Sequence, residues 1–496
     1  MRSKKVIKNV FSSLILQIVI LISGLIVPKI IIKTFGSNVN GLVSSITQFL
    51  TYIALLESGF GPVVKSALYK PIAKKDEKSI KNILHVSEQF FKKISFIFII
   101  YLIFLSVLYP IITNDIFSYF YTFSLVIIIS ISTFFEYYFG ITYKLYLQAN
   151  QETYITSYIQ IAVYILNIFI VLLLVRLNAG IHIIKILSSL IFIARPIIQN
   201  LYVKKKYNIN LKGADDNFKL EQKWDGLAQH IASVVHNNTD MTVLTIFSSL
   251  TSVSIYSVYN MVTKGIKSIV SSFSGGIDAS FGDMIAKDEK ENLNQKFDTY
   301  ETIYNTIATI FYVCTLILII PFIKVYTKDI TDVNYIIPAF GYLIVLSEFI
   351  WAIRVPYSSI TLAAGHFKQT RKGAWVEAIL NIVISVILVI KYGIIGVAIG
   401  TFISMAIRTI EFVYHTNKYI LERSMFITIK KIFIIVLEVI FVVTISKFIS
   451  LENINSYQMW LVYAILIFAI CSIVTIGVNY IFFKKDFKNV LKIMKK

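Results

Sequence analysis

Charged residues are scarce in this sequence: Asp, Glu, Lys and Arg make up 15% of its 496 residues. Cysteine is almost absent, since only Cys314 and Cys471 occur, both inside apolar runs, and this excludes a disulfide framework. His230, His236 and His366 show no metal-ligand spacing, and the sequence has no P-loop or other nucleotide-binding motif. We therefore expect no metal, no cofactor and no direct drive by ATP.

What the sequence has in abundance is apolar side chains, at 56% of all residues with a mean hydropathy of +0.72. A soluble domain of this size needs far more polar surface, so the composition predicts an integral membrane protein. A net charge of +20 would suggest a nucleic-acid partner in a soluble protein. Here the net charge is explained by the distribution of lysine and arginine among the loops, and we expect no nucleic-acid partner.

Long apolar runs of about 20 residues or more each predict one membrane-spanning helix. They indicate an all-α integral membrane protein with about fourteen transmembrane helices. The predicted spans are 9–33, 39–68, 90–112, 117–143, 154–176, 181–203, 226–249, 254–285, 300–323, 334–363, 373–391, 393–416, 428–449 and 457–483. Several of these spans exceed 25 residues. Pro28, Pro62 and Pro356 mark expected kinks, and so does the pair of glycines at 275–276.

Lysine and arginine concentrate in every second loop. With the N-terminus in the cytoplasm, the outer loops hold only Lys33, Arg176, Lys324, Lys328, Lys391 and Lys447. The positive-inside rule therefore places both termini in the cytoplasm. We expect a multi-pass protein of the cytoplasmic (inner) membrane.

A hydrophobic hairpin occurs twice, at 145–175 and 361–390, with an offset of about 214 residues. Asn167 corresponds to Asn381, and Arg195 to Arg408. We therefore predict an N-lobe at 1–203, a cytoplasmic linker at 204–225, a C-lobe at 226–418, and two added spans with a basic tail at 419–496. Because each lobe holds six spans, the lobes should be related by a pseudo-twofold axis along the membrane normal. A cavity between such lobes is what alternating access requires.

Three short motifs lie at defined places in this pattern. They are Phe35-Gly36 with Gly41-Leu42, then Glu57-Ser58-Gly59-Phe60-Gly61, and the glycine-rich run from Gly393 to Gly400. With the six plus six plus two arrangement, they resemble the multidrug/oligosaccharidyl-lipid/polysaccharide exporter superfamily. The chain is most similar to its polysaccharide transporter branch, the flippases of lipid-linked O-antigen or capsule repeat units. Peptidoglycan-precursor flippases place arginines in span 1, where this chain has only Lys29 and Lys33.

Cations within the spans are candidates for binding an anionic diphosphate, because a charge deep in a bilayer is costly unless it faces water or a partner. Lys264, Lys267 and Arg354 lie deepest, and Lys264 and Lys267 share a helix face with Asp278. This stripe can be a cavity wall or a buried ion-pair seam. Lys65, Arg195 and Arg408 lie nearer the cytoplasm and can line the cavity or snorkel.

Five carboxylates also lie within predicted spans. They are Glu57, Glu136, Asp240, Asp278 and Glu348. Burial favours the neutral form of a carboxylate, so each is a candidate for coupling to protons or sodium. Pairing with a nearby cation is the alternative for each, and the sequence does not identify the ion.

The leading hypothesis is a flippase that moves an isoprenoid-diphosphate-linked oligosaccharide across the membrane for surface polysaccharide synthesis, with polymerase and glycosyltransferases as expected partners. The alternative is a cation-coupled multidrug exporter of the same superfamily, for which the carboxylates would matter. A membrane enzyme is a third hypothesis, but the sequence has no loop long enough for a catalytic domain. We predict a transporter and not an enzyme.

Overall fold

Helices are the only regular elements in the described part of the chain. The structure is a computed structural model that describes residues 2–489, except 58, 114, 212, 216, 217, 219, 221–226, 276, 452, 453 and 488. The helices are α1 Arg2–Phe35, α2 Ser37–Leu50, α3 Ala54–Glu57, α4 Phe60–Lys74, α5 Glu77–Ile112, α6 Tyr119–Phe135, α7 Ile141–Ala149, α8 Thr153–Arg176, α9 Ile181–Tyr207, α10 Leu227–Phe247, α11 Leu250–Ser272, α12 Ile277–Ala286, α13 Lys290–Tyr326, α14 Pro338–Ala363, α15 Phe367–Tyr392, α16 Ile394–Tyr419, α17 Met425–Ser446 and α18 Tyr457–Phe482. The predicted all-α membrane fold is confirmed.

Local sequence explains why these segments are helical. In a bilayer every backbone donor and acceptor must be satisfied within the segment, which a helix achieves. Side chains at several helix starts bind the free backbone N–H groups. The Asp76 carboxylate accepts from the Ser79 N–H at 3.1 Å, the Ser249 hydroxyl from Ser252 at 3.1 Å, and Ser456 from Met459 at 3.2 Å.

Eleven helical segments among the described residues are long and apolar enough to cross a membrane. The predicted spans at 226–249, 254–285 and 428–449 are not among them, although α10, α11 and α17 occupy these positions. Their polarity explains the difference, since α17 carries Lys430, Lys431 and Glu438 within 22 residues. The count of fourteen therefore stays a prediction.

Two predicted spans are broken in the structure. The second is interrupted by a short 3-10 turn at Thr51–Ile53 and again at Gly59, whose φ of 84° is a left-handed conformation that glycine adopts without strain. The eighth ends as α11 at Ser272, and α12 begins separately at Ile277. Pro28 and Pro356 lie inside helices that continue through them.

The chain forms two compact units, unit 1 at Met1–Val234 and unit 2 at Val235–Lys496. In unit 1, α1 packs on α8 and α6 packs on α9. In unit 2, α14 and α15 pack on α16, while α17 and α18 pack on α13. The division falls inside α10, downstream of the predicted 204–225 linker, part of which lies outside the described residues. The lobe boundaries and the pseudo-twofold axis stay predictions.

Candidate functional site

Helix α11 presents two lysines in the middle of its length, three residues apart and therefore on one face. The Nζ of Lys267 lies 2.9 Å from Glu348 Oε2 on α14. It also lies 4.1 Å from the centre of the Trp351 ring, one turn further along α14. This ammonium is therefore held by a carboxylate and by a cation–π contact. Of the two alternatives for this stripe, a cavity wall or a buried ion-pair seam, the contact between Lys267 and Glu348 has the geometry of a seam.

Lys264 has different surroundings, because it makes no hydrogen bond or ion pair with any residue that the structure describes. Its side chain is exposed, although it lies at the centre of a helix packed against α13 and α14. Lys267, Glu348 and Asp240 lie within electrostatic range of it. The Lys264 ammonium thus has free hydrogen-bond donors and lies near the ion pair between Lys267 and Glu348.

The predicted stripe does not extend to Asp278. Because α11 ends at Ser272, Asp278 lies in the first turn of the separate helix α12, where its side chain is exposed. The sequence argument placed Asp278 three turns beyond Lys267 on one continuous helix, and the break removes that alignment. The structure therefore does not bring Asp278 together with the lysines of α11.

Arg354 and Arg408 both contact Glu377, a carboxylate that the sequence analysis did not select. Arg354 Nη1 lies 2.7 Å from Glu377 Oε1, and Arg408 Nε lies 3.7 Å from Glu377 Oε2. Arg408 also binds Glu411 at 2.5 Å and donates to the Thr370 carbonyl at 2.9 Å. The two arginines are 11% and 3% exposed, so their charges are compensated inside unit 2.

Asp240 is a buried carboxylate with no cation bound to it among the described residues. It accepts hydrogen bonds from the Tyr256 hydroxyl at 3.0 Å, from the Thr401 hydroxyl at 2.8 Å to each oxygen, and from the Asn381 amide at 3.3 Å. His236 Nδ1 lies 3.4 Å from the same amide nitrogen, Asn381 Nδ2. The Asp240 carboxylate is thus surrounded by two hydroxyl groups and one amide, which are all neutral.

Close packing of α15 against α16 aligns this cluster. A Cβ added at Gly400 would lie 2.3 Å from Ser385 Oγ and 2.9 Å from its backbone nitrogen. Ser385 in turn donates to Asn381 Oδ1 at 3.1 Å. The glycine-rich start of α16 thus lets Thr401 reach both Asp240 and Asn381, which explains one motif that the sequence analysis selected.

In unit 1, Glu136 and Arg195 form an ion pair. Arg195 Nη2 lies 2.7 Å from Glu136 Oε2, and its Nε donates to the same oxygen at 3.2 Å. Glu136 begins a five-residue π-helical turn, Glu136–Gly140, between α6 and α7. Such turns are rare and recur at functional sites. A Cβ at Gly140 would lie 2.7 Å from Pro196 Cβ, so this glycine permits the close contact between the turn and α9.

The remaining predicted residues of unit 1 are Glu57 and Lys65. The Tyr137 hydroxyl donates to Glu57 Oε2 at 3.2 Å, which links the end of α3 to the π-helical turn. Lys65 is half-buried on α4 and makes no hydrogen bond or ion pair with a described residue. Of the six predicted cations, Lys65 and Lys264 are therefore the two that no described carboxylate neutralises.

A second buried charge network, which the sequence analysis missed, joins α17 to α13. Lys431 lies 3.0 Å from Asp298 and 2.7 Å from Glu301, and Arg423 lies 2.5 Å and 3.1 Å from the same two acids. The Tyr357 hydroxyl also donates to Glu301. These residues are far apart in the sequence, and only the packing of α17 on α13 reveals the network.

The fold was compared with known proteins. No protein-family model matches the chain, and a search of curated proteins finds no relative. Among solved structures, the lipid II flippase MurJ in an inward closed conformation matches with a TM-score of 0.66 and 17% identity over 97% of this chain and 99% of MurJ. A multidrug resistance MATE family transporter, inward-facing, matches with a TM-score of 0.63 and 12% identity over 80% of this chain and 94% of its own.

A transporter from Pyrococcus furiosus matches with a TM-score of 0.52 and 12% identity over 85% of this chain and 97% of its own. All three belong to one superfamily. The chain has the fold of the multidrug/oligosaccharidyl-lipid/polysaccharide exporter (MOP) superfamily. The predicted resemblance is confirmed at this level, and the MOP neighbours are membrane transporters or flippases. Because MurJ and MATE proteins have different substrates, the fold leaves the substrate of this chain open.

Proposed function

We propose that this protein is a flippase that moves an isoprenoid-diphosphate-linked oligosaccharide across the cytoplasmic membrane by alternating access. The observation that carries the proposal is Lys264, an exposed ammonium on α11 that forms no ion pair or hydrogen bond with a described residue. An uncompensated cation at this depth is costly, and binding an anionic ligand offsets that cost. A lipid diphosphate supplies the charge that such a site needs.

The residues take different roles under this proposal. Lys264 of unit 2 binds phosphate oxygens, because its donors are free. Lys65 of unit 1 also has free donors and is a separate candidate cation. Lys267 is positioned by Glu348 and Trp351 and contributes positive potential beside Lys264. Arg354, Arg408 and Arg195, which are already paired, hold the helices that carry the site.

An apolar groove in unit 2 fits the lipid part of such a substrate. It has a volume of 370 Å³ and lies between α11, α13 and α18. Val262 and Ile266 of α11 line it together with Phe311, Leu318 and Trp460. The same helix thus carries an apolar surface at Val262 and Ile266 and, on other faces, the cations Lys264 and Lys267. This combination suits an amphiphile with an anionic head.

Asp240 is the best candidate for ion coupling among the five predicted carboxylates. Glu136 and Glu348 are paired with cations, Glu57 accepts from a tyrosine at its half-buried position, and Asp278 is exposed. Asp240 has only neutral hydrogen-bond partners, so a proton or an alkali cation is needed to balance it. Uptake of that ion supplies a step that transport can be coupled to.

The alternative is a multidrug exporter, since MATE proteins share the fold. A site for drug cations needs carboxylates with free oxygens. Glu348 and Glu136 are instead neutralised by lysine and arginine, which favours an anionic substrate. The same proposal includes a role in O-antigen or capsule synthesis and cooperation with polymerase and glycosyltransferases. Both follow only if the substrate is a lipid-linked oligosaccharide.

The Lys264→Ala variant tests the proposal in proteoliposomes loaded with a labelled isoprenoid-diphosphate oligosaccharide. Loss of a charge-assisted hydrogen bond costs about 1.5–3 kcal/mol, so we expect translocation to fall at least about tenfold. Lys328→Ala, which removes an exposed lysine from a loop, is the matched control and should transport at the wild-type rate. Equal rates for both variants would contradict a phosphate-binding role for Lys264.

A further inference from the structure

A second cavity in unit 2 lies away from the residues discussed so far. Helices α14 and α17 both pack on α13, which leaves a cleft between them with a volume of 920 Å³. Leu316 and Ile317 of α13 form its floor, Leu346 of α14 one wall and Val443 of α17 the other. These four side chains are all apolar, so the inner part of the cleft has nothing to offer a polar ligand.

The mouth of the cleft is polar and charged. It is lined by Lys447, which follows the last residue of α17, with Ser446 and Ser450 beside it and Tyr342 opposite. Lys447 supplies the charge among the lining residues that the structure describes, and its side chain is exposed. The positive-inside pattern assigns this end of α17 to the outside, where lysine and arginine are rare.

Membrane position determines what fills such a cleft. Both α13 and α14 are long and apolar enough to cross a bilayer, so the apolar part lies at the depth of lipid chains. The mouth then lies at the depth of lipid headgroups, where a lysine ammonium meets phosphate as a compact charge. An acyl chain matches the walls, and an anionic headgroup matches Lys447.

We propose that the cleft between α14 and α17 binds an anionic phospholipid of the outer leaflet, with its phosphate on Lys447 and an acyl chain over Leu316 and Ile317. The site is independent of the transported substrate. Leu346 lies on α14 only two residues before Glu348 and five before Trp351, which hold Lys267. A lipid wedged between α14 and α17 therefore braces the helix that positions the site on α11.

The test is lipid retention, measured by native mass spectrometry of the full-length protein released from membranes of equal phosphatidylglycerol and phosphatidylethanolamine. We expect wild-type protein to retain phosphatidylglycerol preferentially. Lys447→Gln should reduce this preference about tenfold, as loss of one charge-assisted contact implies. Leu346→Trp, which fills the cleft, should reduce retention of both lipids.

Lys391→Gln is the matched control, because Lys391 also ends a helix on the predicted outer side and is exposed. It should retain phosphatidylglycerol as wild-type protein does. Equal retention of the two lipids by wild-type protein would overturn the proposal. So would equal losses in Lys447→Gln and Lys391→Gln, which would indicate a diffuse attraction without a site. Neither outcome depends on transport, so the result is separate from the test of Lys264.

Discussion

The two units differ at residues that the predicted sequence repeat makes equivalent. In unit 2, Asn381 donates to Asp240 and accepts from Ser385 and Thr401. In unit 1, the equivalent Asn167 is buried, yet its Oδ1 has no partner among the described residues. The offset of about 214 places Ile26 where unit 2 has Asp240. At the positions that the predicted repeat makes equivalent, both units therefore have the asparagine, while only unit 2 has the carboxylate.

Arg195 and Arg408, which the predicted repeat makes equivalent, also differ in burial and in the number of carboxylates they contact. Arg195 makes one ion pair, with Glu136, and its side chain is 22% exposed. Arg408 is 3% exposed, contacts two carboxylates and stacks 4.2 Å from the Phe412 ring centre. Charge is therefore more deeply buried and more densely networked in unit 2. This difference suggests that ion and substrate chemistry concentrates in unit 2, on a helical scaffold that both units share.

The largest expected effect of this asymmetry is on ion coupling. Asp240→Asn removes the one predicted carboxylate that is buried without a cation partner, so ion-driven transport should fall by at least about tenfold. Asn167→Ala changes the residue of unit 1 that corresponds to Asn381, the hydrogen-bond partner of Asp240. This variant should keep transport within about twofold of wild type. Ion-gradient-driven uptake into proteoliposomes measures both variants. Equal loss in the two variants would remove the distinction between the units.

The second effect is on stability. Arg408→Ala leaves the buried carboxylate of Glu377 with one partner fewer, and breaking a buried pair costs about 3–5 kcal/mol. Arg195→Ala should cost less, since water reaches its more exposed pair. Thermal unfolding in detergent gives the order of the two variants. A larger loss in Arg195→Ala would show that the network around Arg408 does not hold unit 2 together.

Glycine substitutions should show a smaller difference. Gly400→Ala places a methyl 2.3 Å from Ser385 Oγ and forces α15 and α16 apart, at a cost of about 1–3 kcal/mol. Gly61→Ala in unit 1 places it 3.6 Å from Leu145, an ordinary contact, so the variant should be neutral or slightly more stable. The same unfolding assay distinguishes them, and matching losses would contradict the close packing at Gly400.

The smallest effect concerns the turn before α8. Burial raises the pKa of Glu152, but hydrogen bonds from Tyr207, Lys206 and Lys5 outweigh it and hold this pKa below its usual 4.5. Glu152 therefore contributes stability above about pH 4.5, and the contribution is lost as pH falls through its lower folded value. Glu152→Gln should lower the melting temperature slightly at pH 7 but not near pH 3. A difference that persists at pH 3 would exclude this linkage.

His366 takes the place of Glu152 in unit 2 at the same offset, and its Nδ1 lies 2.9 Å from His415 Nε2. The two turns are thus held by different chemistry. Glu152 is clamped by Lys5 and Lys206, at 3.0 Å each, whereas the two imidazoles of unit 2 bind each other. This is a further pair of positions, equivalent in the predicted repeat, at which the two units have different side chains.

The sequence predicted the helices well, because apolar runs of membrane length have few other outcomes. The predicted span at 154–176 matches α8 at Thr153–Arg176, and 457–483 matches α18 at Tyr457–Phe482. The breaks at Gly59 and after Ser272 were not predicted, since hydropathy does not register one left-handed residue or a short turn.

The partners of the charged residues were beyond the sequence. Lys267 and Glu348 are 81 positions apart, and Arg354 and Glu377 lie on different helices, so no local spacing connects them. The sequence analysis did not select Glu377, because its partners Arg354 and Arg408 meet it only through packing of α14 and α15 on α16. The sequence predicted which charges lie deep in the membrane, but it did not show which of them form no ion pair with a described residue.

The most direct test of the central claim is the choice of substrate by wild-type protein. A labelled isoprenoid-diphosphate oligosaccharide and a cationic dye are offered separately to proteoliposomes that contain the protein. We predict translocation of the lipid-linked sugar and no accumulation of the dye, because Lys264 is free while Glu348 and Glu136 are neutralised. Transport of the dye without the sugar would contradict this proposal. It would indicate that carboxylates bind the transported substrate.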